Sequence, residues 1–219
     1  MILAAHYAEI LALHGLVFGD FWALRGDFGR AHARRAVELC ERYGLTRFHA
    51  ESLAFLAFAE HLAGNEKEAV RLFETATADA REHSTKYFLL SVIGYYVYVV
   101  NDPRRRAELL DEGDRISCGA GLAHDRMQYF FGAIEAALRG AEWDRADSYA
   151  DQLEQTFAAE PLPRVNTCVE RARVLAAVGR GVCTSDMRSA LERIQADIGR
   201  MDMNLYAASV ERALSELPV

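Results

Sequence analysis

The chain has 219 residues, 51% hydrophobic and 26% charged, with a formal net charge of −7. This is ordinary globular usage, long enough for a core that needs no staples, and the acidic balance argues against a surface built for nucleic acid. Four cysteines without a CxxC pair, Cys40, Cys118, Cys168 and Cys183, exclude a disulfide framework and zinc-ligand spacing, and no uncharged apolar run reaches the 18 or so residues a membrane helix needs.

The first residues, Met1 to Glu9, carry no basic segment, and Glu9 interrupts the apolar run. They read as the start of an amphipathic helix rather than a signal peptide, and unpaired thiols suit a reducing, cytoplasmic setting. The first hairpin is expected over 4–43, with a turn at Gly26-Asp27 and with Gly44 closing the second helix in a left-handed conformation. The second spans 47–82. Leu53, Leu56, Ala57 and Glu60 share a stripe on its first helix, and Ala69, Phe73 and Ala76 share one on its second. Small residues at Ala57 and Ala69 would let the two helices approach, while Leu56 and Phe73 fill the space beside them.

The third hairpin covers 86–117. Its tyrosine-rich segment, Val92 to Val100, is β-branched and aromatic enough for a buried strand, yet the turn at Asp102 stays in register with the others, and Pro103 suits the first position of a helix. The segment is therefore read as helical. Ser117 to Gly121 is a glycine-bearing break, read as a hinge because it lacks phosphate-loop spacing. The fourth hairpin covers 122–157 and the stiff Glu160-Pro161-Leu162-Pro163 connector follows it. The fifth covers 164–201, its return helix capped by Thr184 or Ser185. A last helix over 205–217 would close the open end.

Four turns share one pattern: Gly26–Ala31, Gly64–Ala69, Asp102–Ala107 and Ala141–Ala146. Their closing alanines, Ala31, Ala69, Ala107 and Ala146, are separated by 38, 38 and 39 residues. A fixed period in that range marks stacked helical hairpins, each unable to bury its apolar face alone. The expected fold is all-α: a single tetratricopeptide-like right-handed solenoid over 1–219, with about five hairpins and a capping helix.

No spacing in the chain forces a nucleophile, base or metal together, so catalytic residues, metal ligands and cofactors are not expected. His61 and His83 stand alone, and the outer-face carboxylates Glu66, Glu68, Asp144, Asp147 and Asp151 alternate with Arg71 and Arg145 as solvated ion pairs do. Such arrays bind through a concave surface lined by first helices. Positions six before each turn would align there as Asp20, Phe58, Tyr96, Glu135 and Arg173, with His61 one helical turn from Phe58. The plain alternative is that Phe58 and Tyr96 are core and that Glu135 pairs with Arg173. Burial of the two aromatics decides between these readings.

One string is more specific. It runs from Glu135-Ala136-Ala137-Leu138 through Glu142-Trp143-Asp144-Arg145-Ala146, Tyr149 to Glu154 and Glu160 to Pro163, ending in Arg171 to Gly181. This string resembles the C-terminal helical-repeat region of large bacterial adenylate/guanylate cyclases that carry an AAA-type ATPase module. The resemblance implies a regulatory part of such a protein, whose cyclase and ATPase modules lie N-terminal to the repeats, and no family catalytic residue falls within this chain. The expected function is a non-catalytic interaction or sensor module, with a protein or peptide partner that includes those linked modules. The alternatives are the sensor region of an ATPase-type transcription regulator and a free-standing peptide-binding scaffold. A second copy of the chain could pack on Leu3, Ile10 and Leu13.

Overall fold

A computed structural model describes residues 2–83, 86–119 and 122–217, with side chains described from Ala5 onward and, after the first gap, from Phe88 onward. Eleven α-helices occur among the described residues, and no strand. They are α1 (Ile2–Trp22), α2 (Gly26–Tyr43), α3 (Thr46–Leu62), α4 (Glu66–His83), α5 (Lys86–Val99) and α6 (Pro103–Ser117), then α7 (Ala123–Arg139), α8 (Trp143–Thr156), α9 (Pro163–Gly179), α10 (Ser185–Arg200) and α11 (Ala207–Glu216), the last preceded by a 3₁₀ turn at Asn204–Tyr206. The tyrosine-rich segment is thus helical. The chain divides into two compact units, 1–129 and 130–219, with the division inside α7.

Several boundaries follow from local chemistry. Gly44 ends α2 at φ 63°, donating its N–H to the Cys40 carbonyl. Asp102 caps α6, its carboxylate accepting from the Arg104 and Arg105 amides, and Pro103 occupies the first turn, where its missing N–H costs nothing. Thr184 caps α10 by accepting from the Met187 amide at 3.3 Å. The hinge expected at 117–121 follows α6, although Ala120 and Gly121 lie outside the described residues.

In the first unit consecutive helices pack on one another, and α3 also touches α1 and α5. The pairing of α3 with α4 follows the expected scheme: Leu53, Ala57, Ala69, Phe73 and Ala76 are all buried. The spacing of the turns needs correction. Ala31 and Ala107 are exposed, so neither is the small contact residue of its turn. In the first hairpin that residue is Gly29, where an added Cβ would crowd the Phe21 ring at 3.0 Å. Gly29 stands 40 residues before Ala69, and the regular run of alanines conceals this. The two exposed alanines lie one or two places off the buried face, a rotation of about 100° or 200° around a helix.

A close approach of backbone to backbone in the first unit joins α5 to the start of α7. A Cβ at Gly94 would fall 2.5 Å from the Gln128 carbonyl oxygen and 2.7 Å from Tyr129 Cα, so the two backbones touch there. Of the three residues expected to receive a second copy, one is interior. Ile10 is fully buried with Leu39, Cys40, Leu45 and Phe48, and Leu13 packs against that cluster; the side chain of Leu3 lies outside those described.

The second unit packs α8 on α9, α9 on α10 and α10 on α11. Its core holds a charge. Arg171 is 2% exposed and grips Glu135 with both terminal nitrogens, while Ser209 Oγ accepts at 2.7 and 3.0 Å. The guanidinium also lies 4.3 Å over the Tyr206 ring. Every edge of the cation is therefore used, as a buried guanidinium requires.

Candidate functional site

Of the residues expected to line a concave row, Asp20, Phe58 and Tyr96 are buried within the first unit. Phe58 and Tyr96 are interior, 2% and 1% exposed, which removes them as groove residues. Asp20 is buried against the α1–α2 turn, accepting from Arg25 Nε at 3.0 Å and from His32 Nδ1 at 2.9 Å. Tyr96 stacks on Phe73 with ring centroids 5.0 Å apart and donates to Glu74 at 2.5 Å. Burial, followed by that bond, pushes its phenol up to about 12. His61 Nδ1 donates to Glu66 Oε2, 3.0 Å away. Glu135 pairs with Arg171 rather than Arg173, and Arg173 turns to Asp151 and Glu154.

The physical reason is phase. Where first helices meet in the first unit, ring touches ring at Phe21, Phe58 and Tyr95, with centroids 4.8 and 5.5 Å apart. Those residues are spaced by 37, not 38. Asp20 and Tyr96 each stand one place from that column, and one place on an α-helix is a rotation of about 100°.

The same first helices and the start of α7 enclose a cleft of about 570 Å³ in the first unit. Tyr7, Leu11 and Phe18 of α1, Phe48 and Phe55 of α3 and Phe88 of α5 supply apolar wall, and Leu122 adds to it just before α7. Leu11 and Leu122 are 56% and 59% exposed, so the mouth is open and greasy. Polar groups converge among these side chains: His14, Glu51 and Asp125, with Arg47 and His124 exposed beside them. His14, Glu51, Phe88 and Asp125 also recur at intervals of 37.

His14 and Glu51 form a closed pair. Ser52 Oγ donates its single proton to the Phe48 carbonyl at 2.8 Å, so it accepts from His14 Nε2, also at 2.8 Å. That fixes a hydrogen on Nε2. The other ring nitrogen faces Glu51 Oε2 at 3.2 Å.

Asp125 is different. It is 2% exposed, and Ser91 Oγ donates to its Oδ1 at 2.7 Å. Its Oδ2 is shielded from water and receives no hydrogen bond. Burial pushes the carboxyl up from its ordinary value, the Ser91 bond opposes this, and the Glu51 charge adds to the rise. Next to it Tyr95 donates to Gln128 Oε1 at 3.0 Å, leaving the buried Gln128 Nε2 without an acceptor. Tyr95 is raised well above its usual range, chiefly by burial and then by the Glu51 and Asp125 charges. The close contact at Gly94 holds this part of α7 against Ser91 and Tyr95 of α5.

The chain matches no family model, no curated protein and no solved structure. His14, Glu51 and Asp125 escape a reading built on the turns, because the turns do not keep the period of the first helices. A search for polar residues recurring every 37 positions on the first helices would find His14 and Glu51, and Asp125 falls at the same interval only one step beyond the apolar Phe88.

Proposed function

We propose that this chain is a binding module of the tetratricopeptide-like kind, a solenoid of helical pairs that recognises rather than transforms, and that the cleft of the first unit is its recognition surface. The observation that carries this is the cleft: about 570 Å³, walled by aromatic and aliphatic side chains, with a few convergent polar groups. Those are the dimensions and chemistry of a small-molecule site, and they favour a compact ligand over an extended peptide. The string from Glu135 to Gly181 supports a regulatory setting: a cytoplasmic sensor whose ligand biases a linked nucleotide cyclase or ATPase by favouring one of two conformations.

Leu11→Arg and Leu122→Arg place charge at the mouth, on residues too exposed to disturb the core. In a thermal-shift screen of metabolites, a genuine ligand shifts the wild-type chain and loses its effect in these variants. A ligand whose shift survives both would put recognition elsewhere. In a polypeptide that carries the cyclase modules, the same variants are expected to make cyclase output insensitive to that ligand.

A further inference from the structure

Asp125 poses a problem that the fold does not solve. A carboxylate removed from water is tolerated when each oxygen finds a donor or a countercharge. Oδ1 has the Ser91 hydroxyl, and the residue's own amide and its place in the first turn of α7 favour the charge more weakly, but Oδ2 accepts no well-formed hydrogen bond. The His14 ring, which also lines the cleft, is committed to Glu51 and Ser52. Arg47 lies over the Phe48 ring, 5.7 Å from its centroid, and is exposed at the mouth. His124 beside Asp125 is also exposed, and it lowers the carboxyl less than burial and the Glu51 charge raise it.

The wall around this carboxylate is aromatic. Phe55 stands edge-on to His14 at 4.9 Å between centroids, and Phe48 edge-on to Phe88 at 5.9 Å. Ring faces and edges of this kind enclose an apolar body, and ring faces attract a cation. Two carboxylates in one cleft disfavour an anion.

We propose that the cleft binds a small organic cation: an ammonium that donates to Asp125 Oδ2, carried on an apolar, ring-sized body held by Phe18, Phe55 and Phe88. The soft side-chain torsion of a carboxylate lets its open oxygen turn to the incoming donor. Glu51, which also lines the cleft, adds to the field without giving up His14. This assignment rests on the cleft being the recognition surface and names the class of ligand it takes.

The test is calorimetric titration of the full chain with 2-phenylethylammonium and tryptammonium, beside 2-phenylethanol as the neutral isostere and phenylacetate as the anionic one. The amines are expected to bind, and the alcohol and the acid to bind about tenfold more weakly or not at all. Asp125→Asn keeps the shape and the Ser91 bond and is expected to weaken amine binding on the order of thirtyfold, with helical circular dichroism unchanged. If that variant does not melt cooperatively, Phe18→Leu replaces it, with an expected loss of about threefold for the amines alone. Alcohol or acid binding as well as the amine, or an Asp125→Asn chain that keeps its affinity, overturns the cation assignment. If those ligands are still lost on Leu11→Arg, the cleft stands as the recognition surface. No binding by any probe at millimolar concentration, or binding indifferent to Leu11→Arg, overturns the assignment and the surface together.

Discussion

Each of the two compact units holds one charged side chain that is only 2% exposed, and they handle it in opposite ways. Arg171, in the second unit, is surrounded: a carboxylate on two nitrogens, a hydroxyl on two, a ring beneath. Asp125, in the first, is equally inaccessible and has one oxygen partnered. A complete shell marks a charge that serves the fold. An incomplete one, on the wall of a cleft, marks a charge held ready for something outside the chain.

Removing each charge should therefore have opposite effects. Arg171→Met leaves the largely covered Glu135 without its partner and is expected to destabilise the chain by about 3 kcal/mol in urea titration. A loss under 1 kcal/mol would show that the guanidinium shell is dispensable and would erase the contrast. Gly94→Ala comes next, at about 3 kcal/mol, because the added methyl meets backbone rather than a side chain that can move. It should also loosen Asp125 from Ser91, and an unchanged melting temperature would mean that α5 and α7 are not in contact.

Asp125→Asn is expected to stabilise the chain at neutral pH by about 1 kcal/mol. The sign follows from linkage. The carboxyl is raised in the folded state, so the native protein holds this proton more tightly than the unfolded chain does. Its stability is then greatest below the ordinary carboxylate range and falls as pH rises through the raised value. The advantage of Asn over Asp should accordingly shrink toward nothing at about pH 3. Glu51, His14 and His124 face or adjoin the group and are present in both chains, so subtracting the two pH profiles isolates Asp125. An advantage that persists undiminished at low pH would mean the gain is not electrostatic.

The smallest effect concerns a turn. Leu24 is left-handed at φ 58° with its side chain half in water. Leu24→Gly removes the strain of an L-residue there and adds chain entropy to the unfolded state, a net gain of about 0.5 kcal/mol. Ala141, at φ 55° in the second unit, invites the same comparison. If glycine helps at one site and not at the other, the two turns are not equivalent.

The helices were readable because their signals are local. Gly44, Asp102 with Pro103, and Thr184 set boundaries through caps that involve only their own neighbours in sequence. Even Val92 to Val100, whose side chains favour a strand, yields to the spacing of the turns around it. The surface was not readable in the same way, because facing depends on phase. An error of one residue carries Tyr96 from the Phe58 column to Phe73 and Glu74, and an error of two carries Arg171's role to Arg173. Turn length varies while the contacts between first helices keep their own interval, so a count taken from the turns gathers error that a count taken along the helices does not. Asp125 has no local signature at all: its meaning lies in Ser91, 34 residues earlier, and in the donor that Oδ2 lacks.

His14, Glu51, Phe88 and Asp125 come round at equal steps on the alternate helices α1, α3, α5 and α7, one from each. The chemistry of the cleft is thus written in single letters that can be exchanged one at a time, with the backbone contact at Gly94 left untouched. A carboxylate moved to position 88, or an amide set at position 51, would recast what the wall accepts while the scaffold stays as it is. A receptor laid out this way can change its ligand without changing its architecture.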